Sequence, residues 1–179
     1  MVKNSETRRY RKRSKSDRPR PPTLTNYPPY PGYGKNPEDM TKHERACERI
    51  HRGRRQVALH AFMYYQCDTT VVSDYQYELF VKTLLLTQLM YPDASNEVPF
   101  MKDAFLDNEF ESTGFHVAKA VDEAEEGVDE AYSVKLAFHR SRANTNYDHS
   151  REVQDPQLML KFKAINSKLA KVKKSLGIS

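Results

Sequence analysis

Two helix starts a short distance apart constrain this chain most. Thr41-Lys-His-Glu44 and Ser73-Asp-Tyr-Gln76 each fit a capping box. In such a box a hydroxyl accepts an orphan backbone N–H, and a Glu or Gln three residues on reaches back to the cap. The first start predicts a helix over Thr41–Gln66, with Ala46, Ile50, Val57, Ala61 and Tyr64 on its apolar face and Arg45, Arg49, Arg52 and Arg55 opposite. Gly53 weakens its middle by about 1 kcal/mol relative to Ala and is a place for a kink. The second start predicts a helix over Ser73–Tyr91. Asp74 sits in its favourable first turn, Tyr77, Phe80, Val81, Leu84, Leu85 and Leu89 form its buried stripe, and Pro92 stops it. Only Asp-Thr-Thr-Val-Val joins the two, so they pack as an antiparallel hairpin.

A third helix is equally plain. Asp155 caps it and Pro156 takes its first position. Leu158, Phe162, Ile165, Leu169, Val172 and Leu176 recur in steps of 4, 3, 4, 3, 4, and Gly177 closes it. This basic amphipathic helix, residues 155–179, either docks on its own domain or pairs with another chain. The chain between is less regular. Phe100, Phe105, Phe110 and Phe115 are spaced by five, which matches neither a helix nor a strand. A helical turn is expected at Met101–Leu106, irregular chain through Ser112–Gly114, and a helix from Asp122 to about Ser141, with Gly127 as a possible break. The expected class is all-α: a small bundle built on the hairpin, spanning residues 39–154.

Residues 1–38 form an extended arm. They carry ten Lys or Arg against three acids, whereas residues 93–132 carry two against twelve and residues 155–179 six against one. The first part of the arm is too polar to bury a core and is expected to be disordered alone. Tyr27, Tyr30 and Tyr33 follow in a Pro-rich stretch, on one side of a polyproline-like strap; a solvated linker is the alternative reading. Arg8, Arg9, Arg11, Lys12, Arg13, Lys15, Arg18 and Arg20 make the arm a polyanion-binding candidate without any groove-reading element. Its partner would be nucleic acid, an acidic protein surface, or the chain's own acidic middle. No apolar run approaches the roughly 20 residues that span a bilayer, and the basic start is not that of a secretory signal.

Sites for small-molecule chemistry are few. Cys47 and Cys67 are too far apart in sequence for a zinc knuckle or a disulfide framework. His43, Cys47 and His51 share a helix face, but the outer pair lies about 12 Å apart along the axis. That helix alone therefore yields no metal centre, and none is expected. The acidic run Asp122–Glu126 lacks a calcium-loop pattern.

One stretch, His60 to Pro92, carries a family likeness. Tyr64-Tyr65 ends the first helix, Asp74-x-x-Tyr77-Glu78 opens the second, and Tyr91-Pro92 closes it. This arrangement resembles the small N-terminal nicotinamide-binding helical module of NAD-dependent DNA ligases. The resemblance covers about 35 residues and implies a cofactor site at Tyr64, Tyr65, Asp74, Tyr77 and Glu78. There an aromatic face would hold the cationic nicotinamide ring and carboxylates the ribose hydroxyls. The family usually has Asp at the position of Glu78, and Asp-Ala-Ser-Asn-Glu-Val-Pro-Phe-Met replaces its Pro-rich loop. Lys-x-Asp-Gly, which carries the adenylated lysine in that family, does not occur. A small phage-encoded relative without the adenylation domain is what the resemblance implies. The expected function is that of a non-catalytic structural or interaction protein. It would dock through its arm on a virion or nucleoprotein assembly, in the virion or the cytoplasm of an infected bacterium. The alternatives are a module binding NAD or nicotinamide mononucleotide, and a non-specific nucleic-acid-binding accessory protein. No cofactor is expected of the structural or interaction protein; NAD enters only with the nucleotide-binding alternative.

Overall fold

The computed structural model describes residues 30–107, 109–125, 131–141 and 156–178. The eight basic residues singled out between Arg8 and Arg20, together with Tyr27 and the cap Asp155, lie outside this set, as does Gly127. Within it there are seven α-helices and no strand. They are α1 (Lys42–Cys67), α2 (Asp74–Met90), α3 (Pro92–Glu97), α4 (Lys102–Leu106), α5 (Phe115–Asp122), α6 (Tyr132–Ser141) and α7 (Pro156–Leu176). The all-α bundle expected from the sequence is the observed architecture.

Helix α1 is the central element. Helices α2, α3, α5 and α6 all pack on it, and α7 lies on the outer side of α2. Its N-terminus closes the full capping box: Thr41 Oγ1 accepts from Glu44 N at 3.2 Å, and Thr41 N donates to the Glu44 carboxylate at 2.8 Å. The box on α2 closes on one side only, with Ser73 Oγ accepting from Gln76 N. Gly53 makes no break, and α1 runs unbroken through it. The reason for a glycine there is packing: a Cβ would meet Leu84 Cδ1 at 3.1 Å, so the α1–α2 crossing needs the gap.

Residues 92–122 fold more than expected. Pro92 does stop α2, but it also opens α3 in the first-turn position that proline favours. The turn expected near Met101–Leu106 is α4. A short 3₁₀ turn follows at Glu109–Glu111. Short helices and tight turns explain the five-residue spacing: Phe100, Phe105 and Phe110 each turn inward, from a different local element, and are buried. Each contributes roughly 2–3 kcal/mol by leaving water. Phe115 does not follow them and stays exposed. It opens α5, a helix not anticipated, which buries Val117, Ala118 and Val121 against α1.

Asp122 ends α5 instead of opening a helix, and the chain is non-helical through residues 123–125. The helix expected from there starts at Tyr132.

Helix α7 turns its seam toward its own bundle. Leu169 is buried, Ile165 and Val172 pack beside it, and Phe162 lies 4.2 Å from the Tyr75 ring of α2. Gly177, at φ 69°, ends the helix: its N–H bonds Lys174 O, and Ile178 N bonds Lys173 O at 3.0 Å. That is the paired bonding of a left-handed helix stop, which glycine adopts without strain.

Residues 30–39 are turns and not a polyproline strap. Tyr33 N bonds Tyr30 O at 2.9 Å around Pro31-Gly32, with Gly32 at φ 88°. Proline followed by a positive-φ glycine is the signature of a type II turn. A Cβ on Gly32 would also come 2.7 Å from Glu44 Cβ. The turn seats the Tyr30 ring flat on His51, with centroids 4.7 Å apart, while Tyr33 meets Tyr30 edge-on. Lys35 pairs with Glu44, which holds that carboxyl down at about 2.

Candidate functional site

The first candidate is a small cleft where α1 ends and α2 begins. His60, Tyr64, Tyr65, Thr70, Val72, Asp74 and Tyr77 line it, around a volume of about 200 Å³. Ligand pockets commonly run about 300–1,000 Å³, so the space suits one ring and not a dinucleotide. Tyr64 and Tyr65 meet edge-on at 4.9 Å and both are exposed. Tyr65 also meets Phe115 at 5.7 Å, and its hydroxyl lies 3.3 Å from Thr113 Oγ1. His60 stacks against Phe80, and burial holds its pKa below the usual value, so it lines the cleft as a neutral ring.

The structure therefore brings Tyr64, Tyr65, Asp74 and Tyr77 together. Glu78 does not line the cleft; it pairs with Lys82 one turn on at 2.7 Å. The Tyr77 hydroxyl is not offered to the cleft either. It is buried without a partner and points at Gly114, where an added Cβ would stand 2.5 Å away. Burial pushes its pKa up. His60, Thr70 and Val72 were not singled out as site residues. The loop residues join because the left-handed Asp68 turns the chain back, its N–H bonding Met63 O. No Lys or Arg lines the cleft. The cleft offers aromatic walls and a single carboxylate, and no positive charge that phosphates would meet.

The second candidate is larger and basic. Three open troughs adjoin along α1, α2 and α7, and Arg49 lines all of them. One, about 590 Å³, lies between Arg49, Arg52 and Gln56 on α1 and Thr83 and Thr87 on α2. The next, about 470 Å³, adds Tyr91 and reaches Lys168 and Lys171 of α7. The third, about 210 Å³, continues to Lys42 and Arg45. Six cations line these walls and no carboxylate does; of the six, Arg52 also pairs with Glu48 one turn back on α1, at 3.3 Å. The Thr83 and Thr87 hydroxyls donate back to Leu79 O and Thr83 O, so beside the Gln56 amide and the Tyr91 hydroxyl the donors facing the troughs are ammonium and guanidinium groups. Arg55 leaves this face: it bonds Ser133 Oγ at 2.9 Å and lies over Phe100. Helix α7 brings in Lys168 and Lys171, a union of distant segments that helix periodicity alone does not reveal.

Arg54, not singled out from the sequence, is fully buried. Its guanidinium bonds Gln88 Oε1, Val98 O, Ser95 O and Ser95 Oγ at 2.8–3.1 Å, with Phe100 O at 3.3 Å. Burial lowers its pKa to about 10, and it stays charged at neutral pH. The role is architectural, tying the α3–α4 segment beneath α1.

Two groups of metal-ligating side chains also converge: His43, Cys47 and Glu97, and Asp107, Glu109 and His116. His51 is not part of the first group. It lies under Tyr30, with burial first and then Arg55 and Arg54 lowering its pKa to about 4.

No family model, curated protein or solved structure matches this chain.

Proposed function

We infer that this chain is a non-catalytic interaction protein that docks on nucleic-acid phosphates. A nucleoprotein or virion assembly of a bacteriophage is the setting that its likeness to the ligase module implies. The observation that carries the reading is the run of three adjoining troughs lined by Lys42, Arg45, Arg49, Arg52, Lys168 and Lys171. Phosphate oxygens need donors that stay charged at neutral pH, and these supply them. The arm meets α1 where the Tyr30 ring rests on His51 and Lys35 pairs with Glu44, on the side of that helix turned away from Arg49, so its cations add charge from another direction. Contacts of this kind track a backbone and read no base edges.

Affinity for a short random-sequence duplex, measured against salt, tests this. Six engaged cations give a log–log slope of about −5, and arm cations steepen it. Arg49→Gln with Lys168→Gln and Lys171→Gln should flatten the slope by about 3. A slope unchanged in that variant, or no binding at 50 mM salt, overturns the reading.

The aromatic cleft favours a second reading, a ring-sized nucleotide subsite for the nicotinamide end of NAD or nicotinamide mononucleotide. Its support is the convergence of Tyr64, Tyr65 and Asp74. Calorimetry with nicotinamide mononucleotide decides it. Heat that disappears in Asp74→Asn supports the subsite, and silence at millimolar ligand removes it.

A further inference from the structure

The N-terminal turns of α1 and the last turn of α3 bring three unlike donor atoms to one point. His43 and Cys47 stand four residues apart on α1, so both face the same side. Glu97 is the last residue of α3. His43 Nε2 lies 3.0 Å from Glu97 Oε2 and 3.7 Å from Cys47 Sγ, and the three donor atoms all fall within 4.8 Å of one another. For zinc, bonds near 2.0–2.1 Å to nitrogen and oxygen and 2.3 Å to sulfur at tetrahedral angles give edges of about 3.4 Å (N to O) and 3.6 Å (N to S). The observed N-to-S distance matches that edge, and the N-to-O distance is shorter than it by about 0.4 Å, a gap that a small side-chain rotation of the half-exposed Glu97 would open.

Hydrogen bonds can satisfy these groups: the ring N–H donates to the Glu97 carboxylate, and the Cys47 thiol keeps a proton of its own. What points to a cation is the convergence of three unlike ligand atoms from two helices, which one ion would bind together. The charge also balances: thiolate and carboxylate together neutralise a divalent ion. Access is open from one side, because the His43 and Glu97 side chains are 42% and 49% exposed while Cys47 is fully buried beneath them.

We propose that His43, Cys47 and Glu97 form a zinc-binding site, with water or an outside group in the fourth position. A mixed nitrogen, sulfur and oxygen set suits zinc and its spectroscopic stand-in cobalt, and disfavours magnesium and calcium. Binding converts the Cys47 thiol to a thiolate and releases one proton to solvent. The ion links α1 to α3 and restrains the entry to the segment that Arg54 holds.

The full chain, reduced and metal-free, is titrated with cobalt(II). One equivalent should produce tetrahedral visible bands and a near-ultraviolet thiolate-to-cobalt band. Zinc should displace the cobalt and abolish both bands, and zinc added to the metal-free chain should release one proton per ion. His43→Gln and Glu97→Gln alter half-exposed side chains, so their metal-free melting temperatures should match the parent while zinc affinity falls at least tenfold. Cys67→Ser should leave the spectrum unchanged, and Cys47→Ser should remove the thiolate band. A chain that gives no thiolate band at millimolar cobalt overturns the proposal. So does a band that depends on Cys67, or zinc affinity that neither His43→Gln nor Glu97→Gln weakens. Cobalt bound without sulfur would point instead to the Asp107, Glu109 and His116 group and would equally overturn it.

Discussion

Arg54 directs every donor it has at a neutral oxygen, and its contribution to stability follows from that. A buried ion pair can often be exchanged for apolar side chains with little loss, because both charges disappear together. Here, Arg54→Met would leave Val98 O, Ser95 O and Gln88 Oε1 buried and short of partners. The expected loss is about 3–5 kcal/mol, read as a lower urea midpoint at unchanged slope. Arg54→Lys should fall between, since an ammonium group reaches fewer of those oxygens. His51 predicts a pH dependence. It titrates near 6.5 when unfolded and about 4 when folded. Between those values the unfolded chain holds the extra proton, so stability is full above pH 6.5 and declines as pH falls toward 4. The decline is on the order of 2–3 kcal/mol once its partial exposure is considered. His60, whose pKa is also lowered by burial, adds to the same slope. His51→Gln should therefore make unfolding curves less pH-dependent without making them flat.

At the level of elements, the crossing of α1, α2 and α5 turns on one missing side chain. Gly114 lies against the Tyr77 hydroxyl and Ala61 Cβ, at 2.5 and 3.1 Å from where its own Cβ would stand. Gly114→Ala should cost about 2–3 kcal/mol through overpacking, and adding Tyr77→Phe should recover most of it. Tyr77→Phe alone should raise stability by about 1 kcal/mol, because the hydroxyl it removes is buried without a partner. Thermal melts of the four-member cycle check all of these values. The helices legible in the sequence were those with strong ends. Thr41 with Glu44, Ser73 before Asp74, and Pro156 with Gly177 marked α1, α2 and α7, since capping is local chemistry. Helix α5 has no acidic first turn, and its cap, Gly114, makes no side-chain bond. Its burial pattern lasts only from Val117 to Val121, too short to show a period. Helix α3 was hidden because a proline that ends one helix can begin the next. The cleft was legible as far as Tyr64, Tyr65, Asp74 and Tyr77, which lie within about one helical turn of one short loop. Glu78 was misplaced for a helical reason: Lys82, four residues on, lies within its reach. The basic troughs and the Glu97 contact depend on how distant helices pack, which no local pattern contains.

Across the whole molecule, stability and charge are unevenly placed. Helices α1 and α2 share a deep core, whereas α7 buries only Leu169 fully and leaves Leu160 and Leu176 in water. Lys173 meets Glu111 at 2.8 Å, but a partly buried pair still open to solvent contributes only about 1 kcal/mol. Helix α7 should open as a unit before the rest. Amide exchange near Ile165–Val172 should be faster than at Ile50–Ala61, and a phosphate polyanion bridging Lys168, Lys171 and Arg49 should slow it. The lower layer is secured differently. Arg54 recognises Val98 and Phe100 through their carbonyls, so their side chains take no part in its bonds. Side-chain substitutions there that preserve the backbone course leave that grip intact. A single-residue insertion or deletion between Ser95 and Phe100 would shift the oxygens out of register, however conservative the inserted letter. The guanidinium thus measures the length of this segment, while the letters at Val98 and Phe100 answer to the core alone.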